Sequence, residues 1–140
     1  MFDTMEIAFR GRKFRVCRLD TYPNHASIAS FVAEQDIREA FWDVGPGDYV
    51  LDIGASFGPY ALTALSQGAD FVWAWSPQGH AGETEQEILQ KSLMINKWAS
   101  RCKVYNTGLY SVPGFLNTIT QELSSTIDDE FAARTEQNII

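Results

Sequence analysis

The run Tyr49-Val50-Leu51-Asp52-Ile53-Gly54-Ala55-Ser56-Phe57-Gly58, continued by Pro59-Tyr60-Ala61-Leu62-Thr63-Ala64-Leu65, constrains the fold more than any other stretch of the chain. A short apolar segment reaches an acid, crosses a small-residue turn bounded by two glycines, and enters a segment with helical apolar spacing. This is how a strand hands over to a helix across a ligand-binding loop. Glycine lets the backbone approach a ligand closely, and the N–H groups at a helix start favour anionic groups. Pro59 suits the first helical turn, where its missing N–H costs nothing.

Other glycine-loop chemistries fit less well. A dinucleotide fingerprint requires G-x-G-x-x-G, whereas Gly54-Ala55-Ser56-Phe57-Gly58 has no middle glycine. A phosphate-binding P-loop requires G-K-[ST], and Pro59-Tyr60 stands in that place. A glycine turn that binds nothing is the plain alternative.

Gly68-Ala69-Asp70 ends the helix, and Phe71-Val72-Trp73-Ala74-Trp75 reads as a second buried strand closing on Ser76-Pro77. Strand, helix and strand at this spacing predict a right-handed βαβ unit with parallel strands. Ligands of such sheets bind outside the carboxyl ends of the strands, so Ser76 and Gln78 should face the same crevice as Asp52 to Gly58. A carboxylate at the second strand tip would accept the ribose hydroxyls of a nucleoside. Ser76 holds that place here. Lys103 to Asn106 is the expected third strand, giving the order three-two-one, with crossover helices over Pro59–Gln67 and Glu85–Trp98.

The D-x-G-x-x-x-G loop resembles that of S-adenosylmethionine-dependent methyltransferases, and Leu51-Asp52-Ile53-Gly54-Ala55-Ser56-Phe57-Gly58-Pro59-Tyr60 is similar to the D-[IV]-G-A-[NS]-x-G-x-[YF] loop of the FkbM-type family. Gly68-Ala69, Ala74-Trp75-Ser76-Pro77 in place of A-F-E-P, the Leu93 to Asn96 helix end, and Gly108-Leu109-Tyr110 before Gly114 follow in the family's order. The similarity runs from about Val44 to Gln121, and weakly into Thr126 to Phe131. It implies an α/β fold with a partial Rossmann-like sheet, S-adenosyl-L-methionine as cofactor, and methyl transfer to a hydroxyl of a small molecule or sugar. Asp52, Gly54, Ala55, Ser56, Phe57, Gly58, Ser76 and Gln78 become the expected cofactor contacts. Asp52 would order the cofactor's amino group or a water. No catalytic residue is assigned.

Two departures from the family stand out. The acid of the second strand tip is Ser76, so Ser76→Glu is expected to tighten nucleoside binding. The family also continues into a strand reading I-K-[IL]-D-[VI]-E-G, about where Asn138-Ile139-Ile140 stands. The expectation is therefore the first half of the domain over residues 48–140, preceded by a hairpin and helix cap over residues 1–47. Tyr49 to Ile53 would then present an open apolar edge, a pairing liability. Self-association, the N-terminal segment or a missing C-terminal half could cover it, and little methyl transfer is expected from these residues alone. The alternative function is a non-catalytic remnant acting as a binding or assembly module.

Composition bounds the partners. One domain of 140 residues buries roughly two thirds of its unfolded surface. The net charge of −7, from 18 acids against 11 bases, argues against nucleic acid and membrane surfaces, which need clustered cations. The exception is Arg10-Arg12-Lys13-Arg15-Arg18, expected to be the solvated face of a hairpin formed by Met5–Arg10 and Lys13–Arg18 around Gly11-Arg12. No run nears about 18 apolar residues, so a cytoplasmic location is expected, with Cys17 and Cys102 reduced and packed.

A helix over Ser27–Trp42 should turn Ile28, Phe31, Val32 and Phe41 inward before Val44-Gly45-Pro46-Gly47-Asp48 ends it. Thr84-Glu85-Gln86-Glu87 reads as a capping box opening a helix with Ile88, Leu89, Ser92, Leu93 and Asn96 on one face. Glu83, Glu85 and Glu87 are expected to be solvated there. His25 and His80 are too few for a histidine metal site, and a lone loop His80 is expected to be solvated.

Overall fold

The computed structural model describes residues 2–19, 25–76, 84–107, 114–121, 124–127 and 136–139. Its first element is an antiparallel hairpin of β1 (Phe2–Phe9) and β2 (Arg12–Leu19). Phe9 pairs with Arg12, leaving the two-residue turn Arg10-Gly11 with φ of 45° and 75°. Two central residues at positive φ match the right-handed strand twist, which sets the turn one residue earlier than the sequence suggested. Ile7, Phe9, Phe14 and Val16 are buried on one face. Lys13 pairs with Glu6 at 2.8 Å and Arg18 with Asp3, while Arg10 donates to the backbone carbonyl of Glu39.

The expected single helix over Ser27–Trp42 is two, α1 (His25–Ala33) and α2 (Gln35–Phe41). They meet at Glu34, whose φ of −95° and ψ of 11° lie off the helical values. Ile28 and Phe31 are buried as expected, but α2 turns no apolar residue into the core and Phe41 is 85% exposed. The break turns Phe41 away from the core. Polar contacts hold α2 instead, with Glu39 Oε1 accepting from the Arg10 N–H at 2.9 Å and from Gln35 Nε2 at 2.8 Å.

The parallel sheet has the order β3 (Tyr49–Ile53), β4 (Phe71–Trp75), β5 (Cys102–Tyr105), the expected three-two-one arrangement. Between β3 and β4 runs α3 (Pro59–Ser66), and between β4 and β5 runs α4 (Thr84–Ile95) followed by a 3-10 turn at Ala99–Arg101. Gly68, at φ 100°, ends α3. The Gly68 N–H donates to Leu65 O and the Ala69 N–H to Ala64 O, which satisfies carbonyls the helix leaves open.

These elements stack as hairpin, helices and sheet. Both α3 and α4 contact β2 on one side, while α3 packs on β3 and β4, and α4 on β5. One continuous core joins Phe9, Phe14 and Val16 to Leu62, Leu65, Val72, Ile88 and Leu89. Ile88, Leu89, Ser92 and Leu93 are all buried, as the helical spacing required. Ser92 Oγ accepts from the Cys17 N–H at 2.8 Å. Asn96 accepts from the Arg15 N–H at 2.8 Å and donates to the Arg15 carbonyl at 2.7 Å. These side chains, from α4 and the turn that follows it, occupy backbone groups of β2 much as a neighbouring strand would.

The hairpin is a separate sheet and does not extend β3. Among the described residues β3 pairs only with β4, and Tyr49, Leu51 and Ile53 are exposed. They share the face of the sheet turned away from α3 and α4 with a layer of rings. Tyr49 stacks with Trp73 at 5.9 Å, Phe71 lies 4.7 Å from Trp73, and Trp75 stacks with Tyr105 at 5.0 Å and 8°. A further antiparallel sheet, which the sequence reading did not anticipate, has the order β7 (Ser124–Ile127), β6 (Gly114–Gln121), β8 (Glu136–Ile139).

Candidate functional site

The loop between β3 and α3 is a tight turn. Its Gly58 N–H donates to Ala55 O at 2.8 Å, with Gly54, Ser56 and Gly58 at φ of 82°, 52° and 88°. The Gly54 and Ala55 N–H groups donate to the Trp75 carbonyl at 2.9 and 2.8 Å. Three amides of the glycine loop are thus used to close the turn and to fix it to the tip of β4. Phe57 and Ala55 are buried beneath it.

Asp52 sits at the end of β3, half-buried, under the start of α3. Burial pushes its carboxyl above the usual range, partly offset by a hydrogen bond from the Ala61 N–H. The second oxygen, Oδ2, is buried and has no hydrogen-bond partner. An orphaned carboxylate oxygen beside a ligand loop fits an ammonium or sulfonium group. Its raised value sets a sign. The unfolded carboxyl titrates near 3.8 and the folded one higher, so ionising the buried group lowers stability as pH rises above about 3.8, a cost not present at lower pH. Asp52→Asn, which keeps an oxygen for Ala61, is therefore expected to be more stable than the wild type at neutral pH. In urea unfolding followed from pH 3 to 8, the advantage should open above about pH 3.8 and level off once the native carboxyl has ionised.

At the tip of β4, Ser76 is 2% exposed, and its N–H donates to Tyr105 O at 3.0 Å. Its hydroxyl donates to Glu85 Oε2 at 3.3 Å, while the Ser56 hydroxyl donates to Glu85 Oε1 at 3.1 Å. Glu85, from the first turn of α4, therefore places a carboxylate between the glycine loop and the second strand tip. This corrects the expectation that Glu85 is solvated. Glu87 is exposed and pairs with Lys91, one turn on, whereas Glu85 lies on the side of the helix that faces the crevice. The next residue, Gln86, is buried and donates from Nε2 to Ser76 O at 2.7 Å and to Asn106 Oδ1 at 2.6 Å, tying the tips of β4 and β5 together. The missing acid at position 76 was a usable signal. It should have directed attention to acids opening the following helix. Gln78, His80 and Glu83 lie outside the described residues.

On the other side of Ser56 a pocket of about 490 Å3 opens between the loop and α1, its walls including Ser30, Phe31, Arg38, Ser56 and Tyr60. Ser56 thus lies between this pocket and the Glu85 carboxylate. Neither cysteine joins them. Burial raises both thiols, Cys102 to about 12 with Asp52 adding to the effect, so each is protonated at neutral pH. Among the described residues no three His, Cys, Asp or Glu side chains gather as a metal site, and no helix is long and apolar enough to cross a membrane.

No family model matches the chain, and no curated protein does. Solved structures do. The 16S rRNA N2 G1207 methyltransferase RsmC of T. Thermophilus, solved with AdoMet and guanosine, is 20% identical over 76% of this chain, with a TM-score of 0.50. The Pyrococcus horikoshii protein PH0793 is 22% identical over 75% of the chain, with a TM-score of 0.48. A SAM-dependent methyltransferase from Agrobacterium tumefaciens is 14% identical over 76%, with a TM-score of 0.43. The chain spans 28%, 36% and 33% of those three proteins' lengths.

Proposed function

We infer that the α/β scaffold, a three-stranded parallel sheet preceded by a hairpin and matching a partial Rossmann-like methyltransferase fold, serves methyl transfer. On that scaffold we propose an S-adenosyl-L-methionine-dependent methyltransferase of the FkbM type, in which Glu85 performs the ribose recognition that position 76 lacks. The observation that carries this reading is the Glu85 carboxylate held between Ser56 and Ser76, at the carboxyl ends of β3 and β4. A carboxylate presented there can accept hydrogen bonds from both ribose hydroxyls, with Ser76 and Gln86 fixing its surroundings. Asp52 Oδ2 supplies a negative charge for the cationic amino-acid end. Gly54 to Gly58 shape the floor on which the ligand lies.

The cofactor brings an electrophilic methyl group, so the chain's task is to align an acceptor and exclude water. A small hydroxylated acceptor suits the family likeness of the loop and the net charge of −7. RsmC acts on 16S rRNA, a polyanion whose approach an overall charge of −7 disfavours.

Calorimetry with S-adenosylhomocysteine tests the proposal. The wild type should bind, and Glu85→Gln should weaken binding by about tenfold or more, the worth of one charge-assisted hydrogen bond of roughly 1.5–3 kcal/mol. Ser76→Glu should not tighten it, contrary to the sequence-based expectation, because a second carboxylate would face Glu85. Absence of wild-type binding defeats the proposal, and an unaffected Glu85→Gln removes Glu85 from it.

A further inference from the structure

The guanidinium of Arg38 is the least satisfied charged group among the described residues. Its side chain is only 9% exposed, yet Nε, Nη1 and Nη2 make no hydrogen bond. The nearest acid, Glu34, places Oε2 at 3.7 Å from Nη1, beyond hydrogen-bond reach, and is itself largely exposed. Rings hold the group in place. Its Cζ lies 3.6 Å from the centroid of Phe31 and 5.9 Å from that of Tyr60, and those two rings meet edge to face at 5.4 Å. Ring faces stabilise the cation but leave its in-plane N–H donors unanswered. A buried guanidinium with open donors is costly, and its planar fork matches a carboxylate.

The pocket lined by Arg38 is also lined by Ser56, Phe57, Pro59 and Tyr60 of the glycine loop and α3. Ser56 therefore belongs both to this pocket and to the Glu85 cluster. A ligand whose ribose lies at Glu85 has its other end directed past Ser56. We propose that Arg38 is the receptor for the α-carboxylate of the cofactor's amino-acid end, with the hydroxyls of Ser27 and Ser30 beside it. This rests on the cofactor assignment above. It divides recognition of one zwitterion between Asp52 for the ammonium and Arg38 for the carboxylate.

The test compares S-adenosylhomocysteine with 5′-methylthioadenosine, which keeps the nucleoside and thioether and lacks the amino acid. The wild type is expected to prefer S-adenosylhomocysteine by about tenfold or more. In Arg38→Met the preference should shrink to the part that Asp52 supplies, while 5′-methylthioadenosine binds as before. Arg38→Lys, which keeps the charge and loses the fork, should fall between them. Thermal unfolding of the free Arg38→Met protein should show no loss of stability, since a solvation-starved cation is replaced by an apolar chain. Wild-type binding of neither ligand would defeat the cofactor assignment itself. Binding of both with an undiminished preference in Arg38→Met would defeat only the role of Arg38, and would leave the pocket to an anionic methyl acceptor.

Discussion

Gly58→Ala is expected to destabilise the protein by about 2–5 kcal/mol, adding a left-handed backbone penalty of about 1–2 to an overpacking cost of about 1–3. Gly58 has φ 88°, and a Cβ there would stand 2.1 Å from Cδ1 of Leu89 and 3.0 Å from its Cγ. Leu89 is fully buried in the core, so any shift of its side chain displaces packed neighbours. The melting temperature should fall by about 10 °C or more at a few degrees per kcal/mol. Gly54→Ala separates the two causes. Gly54 shares the positive φ, at 82°, but a Cβ there meets nothing within 4 Å, so only the backbone penalty of about 1–2 kcal/mol applies. The double variant Gly58→Ala, Leu89→Ala should cost less than the sum of its parts, because the collision is removed with its partner. Equal losses for Gly54→Ala and Gly58→Ala would show that contact with α4 does not set the identity of residue 58.

Phe9→Ala is expected to cost about 3–5 kcal/mol, a large part of the roughly 5–15 kcal/mol that holds a domain folded. Phe9 is completely buried and meets Trp42 edge to face at 5.2 Å. Its backbone carbonyl also accepts from Gln67 Nε2 at 3.0 Å, linking the hairpin to the end of α3. The loss should appear in a single transition, seen at the same denaturant concentration by tryptophan fluorescence and by far-ultraviolet circular dichroism. Two separated transitions would mean that the hairpin and the parallel sheet unfold independently, contrary to their shared core.

The βαβ frame was legible because its determinants are local. Alternation and β-branched or aromatic content mark β3 and β4, while Gly58, Pro59 and Gly68 punctuate α3. The strand order follows when two successive right-handed crossovers carry their helices on one face of the sheet, as α3 and α4 do beneath β2. Glu85 was not legible in the same way. An acid in the first turn of a helix is favoured there with or without a ligand, and only the packing of α4 against β2 and β5 decides which acid faces Ser76. Arg38 was hidden for a similar reason. Spaced four residues from Glu34, it reads as half of a surface ion pair, and the ring of Phe31 that buries it belongs to a different helix. Phe41 misled because one unbroken helical period was carried across Glu34. The sheet of β6, β7 and β8 carries no strong alternation to announce it.

The middle layer bears on how quickly the chain can fold. α3 has eight residues, no charge, and every position but Tyr60 buried. A helix this short nucleates poorly in water, since isolated helices below about 12–15 residues are marginal. It becomes stable only when β2 closes over one side and β3 with β4 over the other, partners that lie about fifty positions away along the chain in the case of the hairpin. The hairpin, with its two-residue turn, can form within about 1–10 μs. The closure that brings hairpin and parallel strands onto α3 together is then the expected slow step, set by the chain entropy lost in joining distant segments.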